Sequence, residues 1–137
     1  VEEIDFLAAI PFGGDDFALD ISDVLAPRYK IPVVLFRKVE TADDTKNFAP
    51  RGRRDRAILS GSATGVIIDD VTNEFTSLVG MISVPELAGI DLTACSGWHR
   101  GDPEIMPPID VYSVVEEHIP RQLPEDSPYW QYVQPTS

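Results

Sequence analysis

Gly61-Ser62-Ala63-Thr64-Gly65 runs without interruption into Val66-Ile67-Ile68-Asp69. This stretch constrains the fold more than any other in the chain. Glycine tolerates positive φ and close backbone approach, so the two glycines favour a tight bend. The β-branched run behind them has no helical period and reads as a buried strand. A side chain displayed at such a bend is held rigidly by the core that follows it, and Ser62 and Ala63 are the residues displayed.

The flanking sequence reads as short strands and long loops. Val1–Ile10 leans to strand, stopped by Pro11-Phe12-Gly13-Gly14, and Phe17, Leu19 and Ile21 alternate as in a half-buried strand. Val33–Lys38 is the clearest strand start. Residues 41–56 are polar and charged and predict a long exposed loop. Ala57–Leu59 reads as a short strand. Asp70–Glu74 then forms a hairpin turn and Phe75–Ser83 the returning strand. Pro85–Leu92 is ambiguous, and Thr93–Trp98 is a further strand. Val111, Val114, Val115 and His118 fall at helical spacing, which predicts one late helix stopped by Pro120. These elements predict an all-β barrel or sandwich over residues 1–119 and a proline-rich extended tail over 120–137.

With 137 residues, 43% hydrophobic and 25% charged, the chain suits one globular domain. No apolar run approaches the ~20 residues of a membrane helix, so no membrane partner is expected. A net charge of −12 argues against nucleic-acid binding, with Arg51-Gly52-Arg53-Arg54-Asp55-Arg56 the one basic patch. That patch reads as a solvated loop, a cleavable loop tip or a dock for an acidic partner. Cys95, the single cysteine, excludes an internal disulfide and reads as a small buried hydrophobe. A first residue other than Met is expected of a processed chain or excised fragment.

Five short segments resemble, in order, the trypsin/chymotrypsin-like serine proteases. Asp16-Phe17-Ala18-Leu19 resembles the strand that carries the triad acid, and Gly61–Asp69 aligns without gaps to the nucleophile turn. Leu78-Val79-Gly80-Met81-Ile82-Ser83 resembles a core strand of the family, Ser96-Gly97-Trp98 the wall of its specificity pocket, and Val111-Tyr112-Ser113-Val114-Val115 the opening of its C-terminal helix. The resemblance implies a chymotrypsin-like six-stranded β-barrel with a C-terminal helix. It implies Asp16 as the acid, Ser62 or Ala63 at the nucleophile, Gly61 and Ala63 at the oxyanion turn, and Ser96, Gly97 and Trp98 against substrate.

Ala63 has no hydroxyl and no histidine precedes Asp16. The resemblance therefore implies a degenerate protease, an alignment out of register or a Ser→Ala variant. The expected function is an inactive peptidase-like domain with a groove for a peptide or protein ligand, the histidine coming from an N-terminal chain or domain. The alternative is an acidic β-rich interaction module. No cofactor is expected. Metal binding by Asp15-Asp16 with Asp69-Asp70 or Asp43-Asp44 lacks a recognisable spacing. His99 reads as a surface loop residue and His118 as a packed or capping one.

Overall fold

The computed structural model describes residues 3–41 and 47–118. The residues form an α/β fold, which overturns the all-β barrel. One sheet of six strands has the order β3-β2-β1-β4-β5-β6. Strand β1 (Phe6–Ala9) leads to helix α1 (Gly14–Leu25) and β2 (Val33–Val39). Then come β3 (Asn47–Pro50), α2 (Arg53–Ser60), β4 (Thr64–Thr72), α3 (Thr76–Ile82), a 3-10 turn (Pro85–Leu87), β5 (Asp91–His99) and β6 (Val111–Glu116). All pairings are parallel except β2 with β3.

Parallel strands need crossover helices on the sheet faces, and strands buried on both faces read as continuous apolar runs. Val66-Ile67-Ile68 is such a run. Ile67 packs with Phe6, Ala8, Leu59, Leu78 and Met81 on the face of α2 and α3. Ile68 packs with Leu7, Ala9 and Ala18 on the face of α1. The expected hairpin between Val66 and Ser83 is absent, since β4 lies between two parallel partners, β1 and β5.

Four local readings fail for one reason: a short apolar run fits both periods until its partners are known. Phe17, Leu19 and Ile21 lie in α1, where Gly14 and Ala18 are buried, Phe17 and Ile21 pack on the sheet, and Leu19 is 45% exposed. Ala57–Leu59 belongs to α2, and Phe75–Ser83 contains α3, whose buried side is Leu78 and Met81. The predicted C-terminal helix is the edge strand β6, hydrogen-bonded parallel to β5. The readings of β1, β2, β4 and β5 as strands agree with the structure. Part of the predicted loop over 41–56 is β3 and the start of α2. The tail over 120–137 lies outside the described residues.

Candidate functional site

The chain leaves β1 towards β2 on one side and later enters β4 on the other, so the strand order reverses between β1 and β4. In open α/β sheets the crevice at the carboxyl ends of the strands flanking such a reversal is where ligands bind. Two segments meet there. One is the β1–α1 loop, Ile10–Gly14. The other is the end of β4, Asp69-Asp70-Val71-Thr72, with the turn into α3.

Successive side chains of a strand point to opposite faces. Asp69 therefore shares the side of Ile67, and Asp70 the side of Ile68. Asp69 lines a cavity of about 550 Å³ together with Thr72, Glu74, Thr76, Arg100 and Asp102. The Asp70 carboxylate lies directly against the backbone of Gly13, where a Cβ would overlap it. Each carboxylate also accepts the N–H of the next residue, Asp70 N to Asp69 Oδ1 at 2.9 Å and Val71 N to Asp70 Oδ1 at 2.8 Å. These bonds hold both side chains at the strand end, bracketing the crevice.

Beneath the cavity a small polar network fixes the turn. The Thr72 hydroxyl lies 3.0 Å from Ser96 Oγ and 2.9 Å from His99 Nδ1. Ser96 is buried and also donates to the Trp98 carbonyl at 3.0 Å. The His99 ring stacks on Phe75 at 4.8 Å, and Phe75 is itself buried with φ of 62°. The Arg100 guanidinium sits 5.3 Å from the Trp98 ring centroid, and its Nε is buried with no partner. Arg100 is thus a cation with donor capacity to spare at a cavity whose lining also holds the carboxylates Asp69, Glu74 and Asp102.

The residues expected to form a triad are not brought together. Asp16 is exposed in the first turn of α1, at the carboxyl edge of the sheet. Gly61, Ser62 and Ala63 join α2 to the start of β4, at the opposite edge. The Ser62 hydroxyl donates to the Ile58 carbonyl at 2.7 Å. The two N–H groups required of an oxyanion hole are already used: Gly61 donates to Ile58 O, and Ala63 to the Asp5 carboxylate at 2.8 Å. Ser96, Gly97 and Trp98 are residues of β5, and Ser96 serves the network under the cavity. Gly97 has no room for a Cβ, which would meet the Asp70 carbonyl at 2.8 Å. Cys95 packs in the α1-side cluster, where burial pushes its thiol pKa up. His118 lines the cavity.

Comparison with solved structures identifies the architecture. Orotate phosphoribosyltransferase from Aeropyrum pernix superposes with a TM-score of 0.58 at 18% identity, covering 83% of this chain and 61% of that one. Adenine phosphoribosyltransferase from Leishmania tarentolae gives 0.60 at 14% identity, over 85% and 63%. The fold is that of the phosphoribosyltransferases. A purine phosphoribosyltransferase from Pyrococcus horikoshii gives 0.58 at 18%, over 84% and 71%. The chain thus spans about three fifths of the length of the first two. No protein-family model matches it, and no curated protein sequence matches it.

This likeness overturns the resemblance to the serine proteases, and with it the reading as an inactive peptidase-like domain with a peptide groove. The alternative of an acidic β-rich module falls with the all-β fold. On sequence alone Asp69-Asp70 stands out only as one half of a metal site. The available signal was the uninterrupted apolar run ahead of them: a strand buried on both faces is parallel, and its carboxyl end is where function collects.

Proposed function

We propose that the chain binds a phosphoribosyl group in the β1/β4 crevice and acts in phosphoribosyl transfer. The observation that carries this reading is Asp69, which lines a cavity of about 550 Å³ at the carboxyl end of β4, with Asp70 held on the other face against the β1–α1 loop. Carboxylates accept hydrogen bonds from vicinal ribose hydroxyls, the role acids take near the switch point of nucleotide-binding sheets. Thr76 and Arg100 then offer donors to the sugar phosphate, and Arg100 supplies the charge.

Transfer breaks the anomeric C–O bond to a leaving diphosphate and forms a bond from that carbon to the acceptor. Positive charge develops on the sugar ring as the bond opens, and two nearby carboxylates stabilise it. Among the described residues no group of three or more His, Cys, Asp or Glu is placed to hold a metal ion. A magnesium ion fits this site only as one delivered on the diphosphate, completing its shell with one or two carboxylates.

Calorimetric titration with phosphoribosyl diphosphate and Mg²⁺ tests the reading. Binding is expected in the wild type and a loss of about tenfold or more in Asp69→Asn or Gly13→Ala, the latter displacing the Asp70 carboxylate from the loop. Absence of binding to the wild type at millimolar ligand refutes the reading. So does unchanged affinity in both variants.

A further inference from the structure

The polar network beneath the cavity has a direction, set by counting its protons. Thr72 and Ser96 are buried, and each hydroxyl has one hydrogen to donate. Ser96 Oγ lies 3.0 Å from the Trp98 carbonyl, which can only accept, so the Ser96 hydrogen is committed there. Its 3.0 Å contact with Thr72 Oγ1 is then a hydrogen bond only if Thr72 donates. With the Thr72 hydrogen spent on Ser96, the 2.9 Å contact to His99 Nδ1 is a hydrogen bond only if Nδ1 carries a hydrogen. The bonds that a ring makes decide which of its nitrogens is protonated. One assignment satisfies all three contacts: Nδ1–H to Thr72, Thr72 to Ser96, Ser96 to the Trp98 carbonyl. The reverse direction leaves the carbonyl contact without a hydrogen, against the rule that buried polar groups are paired.

The same imidazole holds the far end of the turn that follows β4. Its face stacks on Phe75, with centroids 4.8 Å apart and planes 17° from parallel. Phe75 is buried and left-handed at φ of 62°, a conformation that a bulky residue keeps only where its surroundings impose it. The Thr72 carbonyl accepts the Arg100 N–H at 3.0 Å. Gly101 leaves no room for a Cβ, which would overlap the Asn73 carbonyl. Residues 72–76 line the cavity of about 550 Å³, and β5 with the loop after it grips them from behind.

We infer that His99 is a positioning residue for this cavity. As an Nδ1–H donor it starts a one-way chain of hydrogen bonds that locks Thr72, while its ring face locks Phe75. His99 stands behind the turn and acts through it. What the turn holds, a phosphoribosyl group, rests on the transfer reading; the direction of the chain and the locking of the turn do not.

Long-range proton–nitrogen NMR spectra of the ring report which nitrogen carries the hydrogen. Neutral His99 in the wild type is expected to carry it on Nδ1. Ser96→Ala frees the Thr72 hydrogen to turn towards Nδ1, and is expected to move the ring hydrogen to Nε2. Hydrogen on Nε2 in the wild type, or an unchanged ring in Ser96→Ala, would overturn the inference. The locking of the turn is read from hydrogen exchange of the Arg100 amide, which is bonded to the Thr72 carbonyl. His99→Asn keeps a donor near the place of Nδ1 and drops the stack, whereas His99→Phe keeps the stack and drops the donor. The Arg100 amide is expected to exchange about tenfold faster in His99→Phe than in His99→Asn, the scale of one unmade hydrogen bond. Calorimetric affinity for phosphoribosyl diphosphate with Mg²⁺ is expected to fall in the same order. Equal exchange in the two variants would overturn the inference by marking His99 as a packing ring alone. Failure of phosphoribosyl diphosphate to bind the wild type would instead sink only the transfer reading, since the ring spectra and the Arg100 exchange need no ligand.

Discussion

Asp55 is the side chain on which the basic side of the sheet depends, and replacing it by alanine should be severe. It is 7% exposed in the first turn of α2, and its two carboxylate oxygens serve two backbone donors. Oδ1 accepts the Leu35 N–H at 2.9 Å, and Oδ2 the Gly52 N–H at 3.1 Å. Leu35 lies where the β2–β3 ladder stops: the last register pair is Phe36 with Pro50, and the Leu35 carbonyl takes Arg51 N–H at 2.9 Å. No strand residue is left to accept the Leu35 donor, so the carboxylate completes the edge and ties α2 to β2. Hydrogen bonds to a charged group contribute about 1.5–3 kcal/mol each, and stranding a buried donor costs a similar amount. Asp55→Ala should therefore destabilise by about 2–5 kcal/mol, a large share of the roughly 5–15 kcal/mol available to a domain. At roughly 4 °C per kcal/mol for a chain of this size, the thermal midpoint should fall by about 8–20 °C. Asp55→Asn, which keeps one acceptor, should lose about half as much. Scanning calorimetry with urea titration measures both. A fall below about 3 °C for Asp55→Ala would refute the claim that these two donors depend on the carboxylate.

Two further outcomes follow from the sheet. Gly65→Ala should cost about 1–3 kcal/mol in urea unfolding, because a Cβ there would overlap the ring of fully buried Phe6, its register partner; an unchanged midpoint would show that the ring can shift. The Asp5 carboxylate accepts the N–H groups of Ala63 at 2.8 Å and Thr64 at 3.0 Å, and these bonds hold its pKa below the ordinary value. A depressed folded-state pKa contributes stability that is present above the unfolded value and lost as pH falls through the folded one. Asp5→Asn should thus be less stable than wild type at neutral pH, with the gap closing in acid; a gap independent of pH would contradict the assignment.

The sequence by itself determined where the apolar runs lie, and the strands β1, β2, β4 and β5 are legible in Val1–Ile10, Val33–Lys38, Val66–Asp69 and Thr93–Trp98. It also determined that a bend enters a buried strand here, though the bend is Gly61–Ala63 and Thr64 and Gly65 already lie in β4. That bend closes α2 and aligns β4, with the Ala63 and Thr64 donors held by Asp5 from 58 and 59 residues away. Such a partner cannot be read locally, and without it the bend looks like a place to present a reactive group. Phe17–Ile21 and Val111–Val115 each fit two periods. Only the packing of Ala18 against the sheet, and the pairing of Tyr112 with Cys95, decide between helix and strand. Parallel pairing is likewise a tertiary fact, since it depends on which strands lie beside Val66–Ile68. That pairing moved the candidate site from the start of β4 to its end. The acid pair was in the sequence throughout, and the reversal of strand order between β1 and β4 gives it a crevice to face.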